Sequence, residues 1–293
     1  MGTSTQLSTL PTGALSGEAT AVAVNAGGDI VGVSDALDAG GTLVKRAAVW
    51  TGIAPAELGT LIPDPANPGS FLGNSRAIDI NDNGLVVGAS DTAVGVEHAF
   101  LFDPSVGSMT DLGTLVGSGG ESRATSINNN GDIVGVSDSV DQAGNVVERA
   151  FLIPVGAAMI DLGTLIPDPA NPGFFLENSG AFGINDNGVI IGTSDAGGGT
   201  GLTGATQFFN PPSPISLLPT HSDGFDVGPA NHVVGTFGAN LDQGFVLHSS
   251  TGLVDLTVLT GTTIVDATGV NRFGQVTAVA SIGGTNVGVL ITP

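Results

Sequence analysis

The sequence predicts an all-β fold: a six-bladed β-propeller of four-stranded antiparallel blades, closed by an N-terminal strand that completes the last blade. Three observations predict it. A thirteen-residue phrase, SINNNGDIVGVSD at 126–138, returns with falling fidelity at 23–35, 79–91, 183–195, 226–238 and 269–281. The third residue of each copy falls at 25, 81, 128, 185, 228 and 271, giving intervals of 56, 47, 57, 43 and 43. A period in this range marks propellers and solenoids. Between the copies, short alternating apolar runs carry no helical period. Finally, the last unit ends at VGVLITP without a fourth strand, while the opening Thr5-Gln6-Leu7-Ser8-Thr9-Leu10 parallels Thr110-Asp111-Leu112-Gly113-Thr114-Leu115. A strand supplied from the other end of the chain closes the ring and removes exposed sheet edges. An open solenoid would call for polar capping units instead.

Each unit resolves into the same elements in the same order. Ala77-Ile78-Asp79-Ile80 alternates as a first strand, and Asp82-Asn83-Gly84 makes the hairpin turn, because Asn and Gly tolerate positive φ. Leu85 to Ser90 returns as the second strand. After a loop of variable length comes a short apolar third strand: AAVW (47–50), HAFLF (98–102), RAFLI (149–153), TQFF (206–209), GFVL (244–247) and VGVLI (287–291). A fourth follows as ELGTL (57–61), DLGTL (111–115), DLGTL (161–165), SLLPT (216–220) or VDLTVL (254–259). The units are roughly 19–61, 75–115, 122–165, 179–220, 224–259 and 264–293 plus 5–10, read as a single domain over 1–293.

His98-Ala99-Phe100, the DLGTL strands and the INDNG-x-VVG-x-SD phrase resemble the bacterial extracellular HAF-repeat family. The resemblance covers nearly the whole chain and is clearest in units two to four. It implies export and a repeat fold, and it supplies no catalytic residues. A second duplication lies over the first: TLIPDPANPGSFLGNS (60–75) and TLIPDPANPGFFLENS (164–179) differ at two of sixteen positions, 104 residues apart.

Composition narrows the function. Six basic against 27 acidic residues give a formal charge of −21, which repels phosphate backbones and anionic lipids; nucleic acid and membrane surfaces are excluded as partners. Aromatic residues are 5 %, so Val, Ile, Leu, Ala and Phe must make the core. No apolar run approaches the ~20 residues that span a bilayer. Without cysteine there is neither a disulfide framework nor thiol chemistry. MGTSTQLSTL lacks the basic start and apolar stretch of a signal peptide, so an exported protein is expected here in its mature form.

In antiparallel blades the turns after strands one and three lie at one end, and the loops after strands two and four at the other. The first set is short (NDNG, NNNG, PVGAAM). The second holds the long loops 34–46, 137–149 and 194–204 and both IPDPANPG insertions. Binding residues concentrate on loops carried by rigid scaffolds, which makes the long-loop face the candidate surface. Its candidate residues are Asp35, Asp38, Asp64, Asp91, Asp138, Asp141, Asp168 and Asp195, with Phe71 and Phe174 as apolar anchors. Asp35, Asp91, Asp138 and Asp195 recur after each second strand, and carboxylates beside carbonyl oxygens suit a hard cation, calcium being the candidate. The competing use is local, each Asp accepting nearby backbone N–H groups. Phe71 and Phe174 could likewise pin the insertions to their own blades. Asp79-x-Asn81-x-Asn83-Gly84 opens like a calcium loop but has Ser90 where a bidentate Glu is required, so it is read as hairpin chemistry. His98, His221, His232 and His248 fall at unrelated blade positions, and no G-x-S-x-G motif exists.

The expectation is therefore a secreted or cell-surface, non-catalytic binding or structural module that contacts a protein, an extracellular polymer or itself. Two other expectations stand beside it: a metal-dependent hydrolase or lyase on the same scaffold, and calcium-dependent self-assembly at a surface. Carbohydrate binding is weaker, since one Trp and no Tyr leave little to stack on.

Overall fold

The computed structural model describes residues 6–13, 16–117, 119–171, 175–197, 202–209, 214–218, 221–238, 243–248 and 252–292. The architecture is a six-bladed β-propeller. Blade one holds β1 (Ala19–Val24), β2 (Ile30–Leu37), β3 (Leu43–Trp50) and β4 (Pro55–Gly59). Blade two follows with β5 (Ser75–Ile80), β6 (Val86–Asp91), β7 (Glu97–Asp103) and β8 (Ser108–Asp111). Blade three has β9 (Ser122–Ile127), β10 (Ile133–Val140), β11 (Val146–Ile153) and β12 (Ile160–Asp161), and blade four β13 (Ser179–Ile184), β14 (Ile190–Asp195), β15 (Thr203–Phe208) and β16 (Ile215–Ser216). Blade five carries β17 (Ser222–Val227), β18 (Val233–Phe237), β19 (Gln243–His248) and β20 (Gly252–Asp255). A short helix α1 (Leu256–Thr260) leads to blade six, β21 (Ile264–Val270), β22 (Val276–Ile282) and β23 (Thr285–Ile291). Strands follow one another in order within every sheet, and neighbouring strands pair antiparallel, as β1 with β2, β5 with β6, β13 with β14, β17 with β18 and β21 with β22. Two compact units divide the chain, Met1–Ile133 and Val134–Pro293. No helix among the described residues is long and apolar enough to cross a membrane.

The repeated phrase turns out to be a building instruction. In blade two, Asn81 Oδ1 accepts the N–H groups of Asn83 and Leu85, while Gly84 takes φ 79° to close the turn. The same carboxamide then reaches out of its blade. Nδ2 of Asn25 donates to the Asn81 carbonyl, Asn81 to that of Asn128, and Asn185 to that of Gly228. These bonds span 56, 47 and 43 positions, the repeat intervals themselves. Asp79 Oδ2 adds Ser126 Oγ and Ile127 N, both at 2.9 Å, and Asp226 Oδ2 receives Val270 N at 2.9 Å.

The glycine of VVG has an equally local cause. Strand one bulges at the same place in blades one, two, four, five and six, as between Ala77 and Asp79 opposite Gly88 and Val87. The bulge drives the Arg76 carbonyl into the neighbouring strand, so a Cβ on Gly88 would lie 2.0 Å from that oxygen. Gly32, Gly192 and Gly235 face the carbonyls of Thr20, Gly180 and Asp223 at 1.9 Å. Only hydrogen fits there.

Apolar packing joins blades in pairs. Within the first unit Val31, Ala47 and Leu58 pack on Ala77, Ile80, Val86 and Phe100. Within the second, Val134, Ala150 and Leu162 meet Ala181, Ile184 and Phe208, and Ile191 and Ala205 meet Val233 and Phe245. Each fully buried Phe or Leu contributes roughly 1.5–3 kcal/mol.

Two expectations need correction. The fourth strand expected from the opening segment is not seen among the described residues: β21–β23 form a three-stranded sheet and residues 6–10 carry no strand, Thr5 lying outside the described residues. The ladder groups of Ser8 are used elsewhere, its N–H on the Ile53 carbonyl and its carbonyl by the Trp50 indole N–H at 2.8 Å. Leu10 N–H donates to Ser34 Oγ, the bond that Leu61 makes to Ser90 and Leu165 to Ser194. The segment thus meets blade one as the GTL segments at 59–61 and 163–165 meet the blades after them. The second correction concerns VDLTVL: β20 stops at Asp255, whose Oδ1 caps α1 by accepting Thr257 N and Val258 N, and Gly261 ends that helix at φ 68°.

Candidate functional site

The carboxylates of the long-loop face are tied into backbone turns. Asp91 Oδ2 accepts both N and Nδ2 of Asn74, and Asp195 Oδ2 does the same with Asn178. Asp35 Oδ2 accepts Glu18 N. In all three the partner lies 17 positions earlier, so this Asp clamps the entry to its own blade's first strand. Asp35 also meets Lys45 Nζ at 2.6 Å; that ammonium first, then the Glu18 amide, holds its carboxyl below the usual range. Asp138 sits half-buried in β10 at the equivalent position. Asp38 and Asp141 fold their hairpin tips, each Oδ1 accepting two backbone N–H groups. Asp64 and Asp168 shape the insertions, binding Ala66 N and Asn67 Nδ2 in one copy, Ala170 N and Asn171 Nδ2 in the other. The side-chain amides of Asn67, Asn145 and Asn171 are the first cause holding Asp64, Asp141 and Asp168 below the ordinary carboxylate value. Among the described residues, no three His, Asp or Glu side chains gather as a group able to hold a metal ion.

The insertions are pinned by aromatic rings. Phe71 bridges back to Pro63, and its ring lies where a Cβ on Gly59 would be, 2.6 Å from the nearest ring carbon. Phe175 repeats this with Pro167 and Gly163 at 2.5 Å; Phe174 lies outside the described residues. Buried arginines complete the attachment. Arg46, held by Glu57 at 2.8 Å, donates to the carbonyls of Phe71 and Gly73, and Arg149, 3.8 Å from Asp161, donates to that of Phe175. Burial lowers Arg149 and raises Asp161.

Blade two breaks this pattern. His98 stands where Arg46 and Arg149 stand, and Asp111 where Glu57 and Asp161 stand. His98 is 7 % exposed, and its Nδ1 lies 2.9 Å from both Asp111 carboxylate oxygens. An ionised carboxylate only accepts, so Nδ1 carries the proton. Nε2 is buried and has no hydrogen-bond partner. Seventeen positions separate Leu58 from Ser75 and Leu162 from Ser179, but only ten separate Leu112 from Ser122. Blade two therefore has no insertion to lay over its basic residue.

What lies there is a cleft of about 600 Å³. Thr60, Leu61, Pro63 and Phe71 from the first insertion form one wall. Thr92 to Val94 from the β6–β7 hairpin, with His98, Met109 and Asp111, form the other. Val94 is 67 % exposed at the rim. A second cleft of about 590 Å³ uses the residues that flank the tip of the same hairpin, Asp91 and Glu97, with Lys45, Asn74 and Arg76. There Arg76 grips Glu97 through two bonds of 2.6 and 2.7 Å. Both clefts lie in the first unit; the first draws on the loops after β4 and β6, the second mainly on strand ends. Sequence reasoning missed the His98–Asp111 pair; its signal was the alignment of acidic residues at 57, 111 and 161 with basic ones at 46, 98 and 149. It also missed that His232 and His248 converge, their ring centroids 4.1 Å apart, with burial and then His248 pulling His232 down.

A family model described as protein of unknown function (DUF3466) matches residues 11–154. No curated protein matches significantly. The β-propeller domain of the Trilobed protease from Pyrococcus furiosus, described as having an open velcro topology, is similar at a TM-score of 0.52 and 8 % identity, over 93 % of this chain and 82 % of that one. A puromycin-hydrolysing peptidase of Mycobacterium tuberculosis aligns at a TM-score of 0.41 and 13 % identity, over 94 % of this chain but 51 % of that one. At such identities the likeness is one of fold.

Proposed function

We propose that this protein is a non-catalytic binding module, placed outside the cell, that uses the long-loop side of blades one and two to hold a protein or extracellular polymer. The observation that carries the reading is the pair of clefts flanking the β6–β7 hairpin, each near 600 Å³, the first walled by the insertion and hairpin loops and the second by strand ends that Asn74 and Asp91 tie together. Turns fixed by Asp38, Asp64, Asp91 and Asn74 lose little conformational freedom on binding, which is what a receptor surface requires. The acidic, Lys-poor composition and the HAF-like repeats support the extracellular placement. Site-specific photo-crosslinking tests the reading. A photoreactive residue at Val94 or Met109 is expected to trap a discrete partner from culture medium or cell envelope, and one at Asn83, in a short turn, is not. Equal adduct yields from both sides of the blade overturn it.

A further inference from the structure

We infer that the blade-two cleft is a peptide-binding site, its ligand an extended segment of a partner protein that lies over His98–Asp111 as the chain's own insertions lie over Arg46–Glu57 and Arg149–Asp161. The inference deepens the proposed binding function and rests on it.

The first support is the repeat's own behaviour. In blades one and three the third-strand basic residue is buried, paired to an acidic residue on strand four, and donates to main-chain carbonyls of a proline-rich segment, Arg46 to those of Phe71 and Gly73 and Arg149 through Nη2 to that of Phe175. That segment stays put through one inward aromatic ring, Phe71 or Phe175. Blade two keeps the basic–acidic pair with its basic member buried, yet the seven residues that would cover it are missing. The space is a cleft, not a collapsed core, because the first insertion props one wall and the Thr92–Val96 turn the other.

The second support is the orphaned ring nitrogen. A buried polar atom without a partner costs free energy unless something satisfies it. With Nδ1 committed to Asp111, a neutral His98 offers the Nε2 lone pair to a peptide N–H, and a protonated one offers an N–H to a peptide carbonyl. Both groups recur along every extended peptide, so the backbone suits either state. Apolar walls at Leu61, Pro63, Ala93, Val94 and Met109 call for one apolar side chain beside that hydrogen bond. A sugar would want an open aromatic face, and the ring of Phe71 is spent on Gly59.

The probe is a synthetic peptide copying residues 62–73, IPDPANPGSFLG, titrated into the intact protein by heteronuclear NMR, with cello- and chito-oligosaccharides as comparison. Saturable binding with a Kd at or below about 1 mM is expected, with shifts centred on Val94, His98 and Met109. His98→Arg introduces the residue that blades one and three already accommodate, fills the cleft, and is expected to weaken binding at least tenfold. Met109→Glu, at a half-buried strand position away from the His98–Asp111 bond, is expected to do the same. No peptide binding at millimolar concentration, shifts elsewhere, unchanged affinity in both variants, or preference for an oligosaccharide each overturn the inference. Crosslinking from Val94 that persists in the absence of peptide binding leaves the broader binding function standing; loss of both removes it.

Discussion

Gly88 shows how a single atom can decide a residue. Its backbone is ordinary strand, so conformational freedom is not what it supplies; the Arg76 carbonyl, 2.0 Å from any Cβ, is the reason for glycine. A backbone oxygen cannot swing away as a side chain can, so Gly88→Ala must push two hydrogen-bonded strands apart. Overpacking of this kind costs typically 1–3 kcal/mol or more, whereas Gly52→Ala, with nothing near its Cβ and no positive φ, is expected to be close to neutral. Chemical denaturation of the two variants checks this; equal midpoints would mean that the bulge relaxes freely. The same scale explains the basic position of strand three. Arg46 has length enough to meet Glu57 and two insertion carbonyls, but the His98 ring reaches only Asp111.

At the scale of elements, the unit of construction is the blade pair. Asn81 folds its own turn through Oδ1 and holds the next blade through Nδ2. Ser75, Ser122 and Ser179 act at the opposite edge: each hydroxyl accepts the N–H of a third-strand alanine, Ala47, Ala99 or Ala150, and donates to the carbonyl of Gly59, Gly113 or Gly163 at 2.6 Å. Asn81→Ala is expected to strand buried backbone groups on two blades and to cost about 1–3 kcal/mol, and Ser75→Ala a similar amount. If the inter-blade bonds matter, hydrogen exchange should quicken in both blades flanking the change; acceleration confined to blade two for Asn81→Ala would argue that the link is idle. Much of this was legible beforehand. The 13-residue phrase disclosed the hairpins because Asn, Asp and Gly announce turns by chemistry that operates within five residues. Less could be read where a partner lies far along the chain. Ser75 and its copies recur at a fixed place before the first strand, but nothing within that stretch names Ala47 as the acceptor's partner. Likewise Thr5–Leu10 matched a fourth strand in pattern, while Ser34, Trp50 and Ile53 decided where it attaches.

Across the whole molecule, charge sets the conditions for stability. Asp161, Asp223, Asp226 and Asp266 all lie in the second unit, and burial, the first cause at each, raises them above the ordinary 3.8. A carboxyl raised in the folded state favours the fold below its unfolded value and loses that contribution as pH rises through the folded one. Asp35, Asp64, Asp103, Asp141 and Asp168 are lowered by hydrogen bonds, Asp35 foremost by Lys45, so their contribution is present above 3.8 and lost as pH falls through the lower folded values. His232, lowered by burial, favours the fold above 6.5 and loses that as pH falls. One imidazole thus opposes four buried carboxyls and the self-repulsion of a −21 chain, which protonation relieves. The melting temperature is therefore expected to rise as pH falls from neutrality toward 3.8, then to fall below 3.8 as the turn carboxylates protonate. Asp266→Asn isolates one contributor: Oδ1 of Asp266 has no hydrogen-bond partner, so removing its charge should raise the melting temperature at neutral pH and lose that advantage below 3.8, where both side chains are uncharged. A melting temperature that declines steadily from neutrality to pH ~5, or an Asp266→Asn gain that persists undiminished in acid, would show that the buried carboxyls of the second unit are already accommodated as anions.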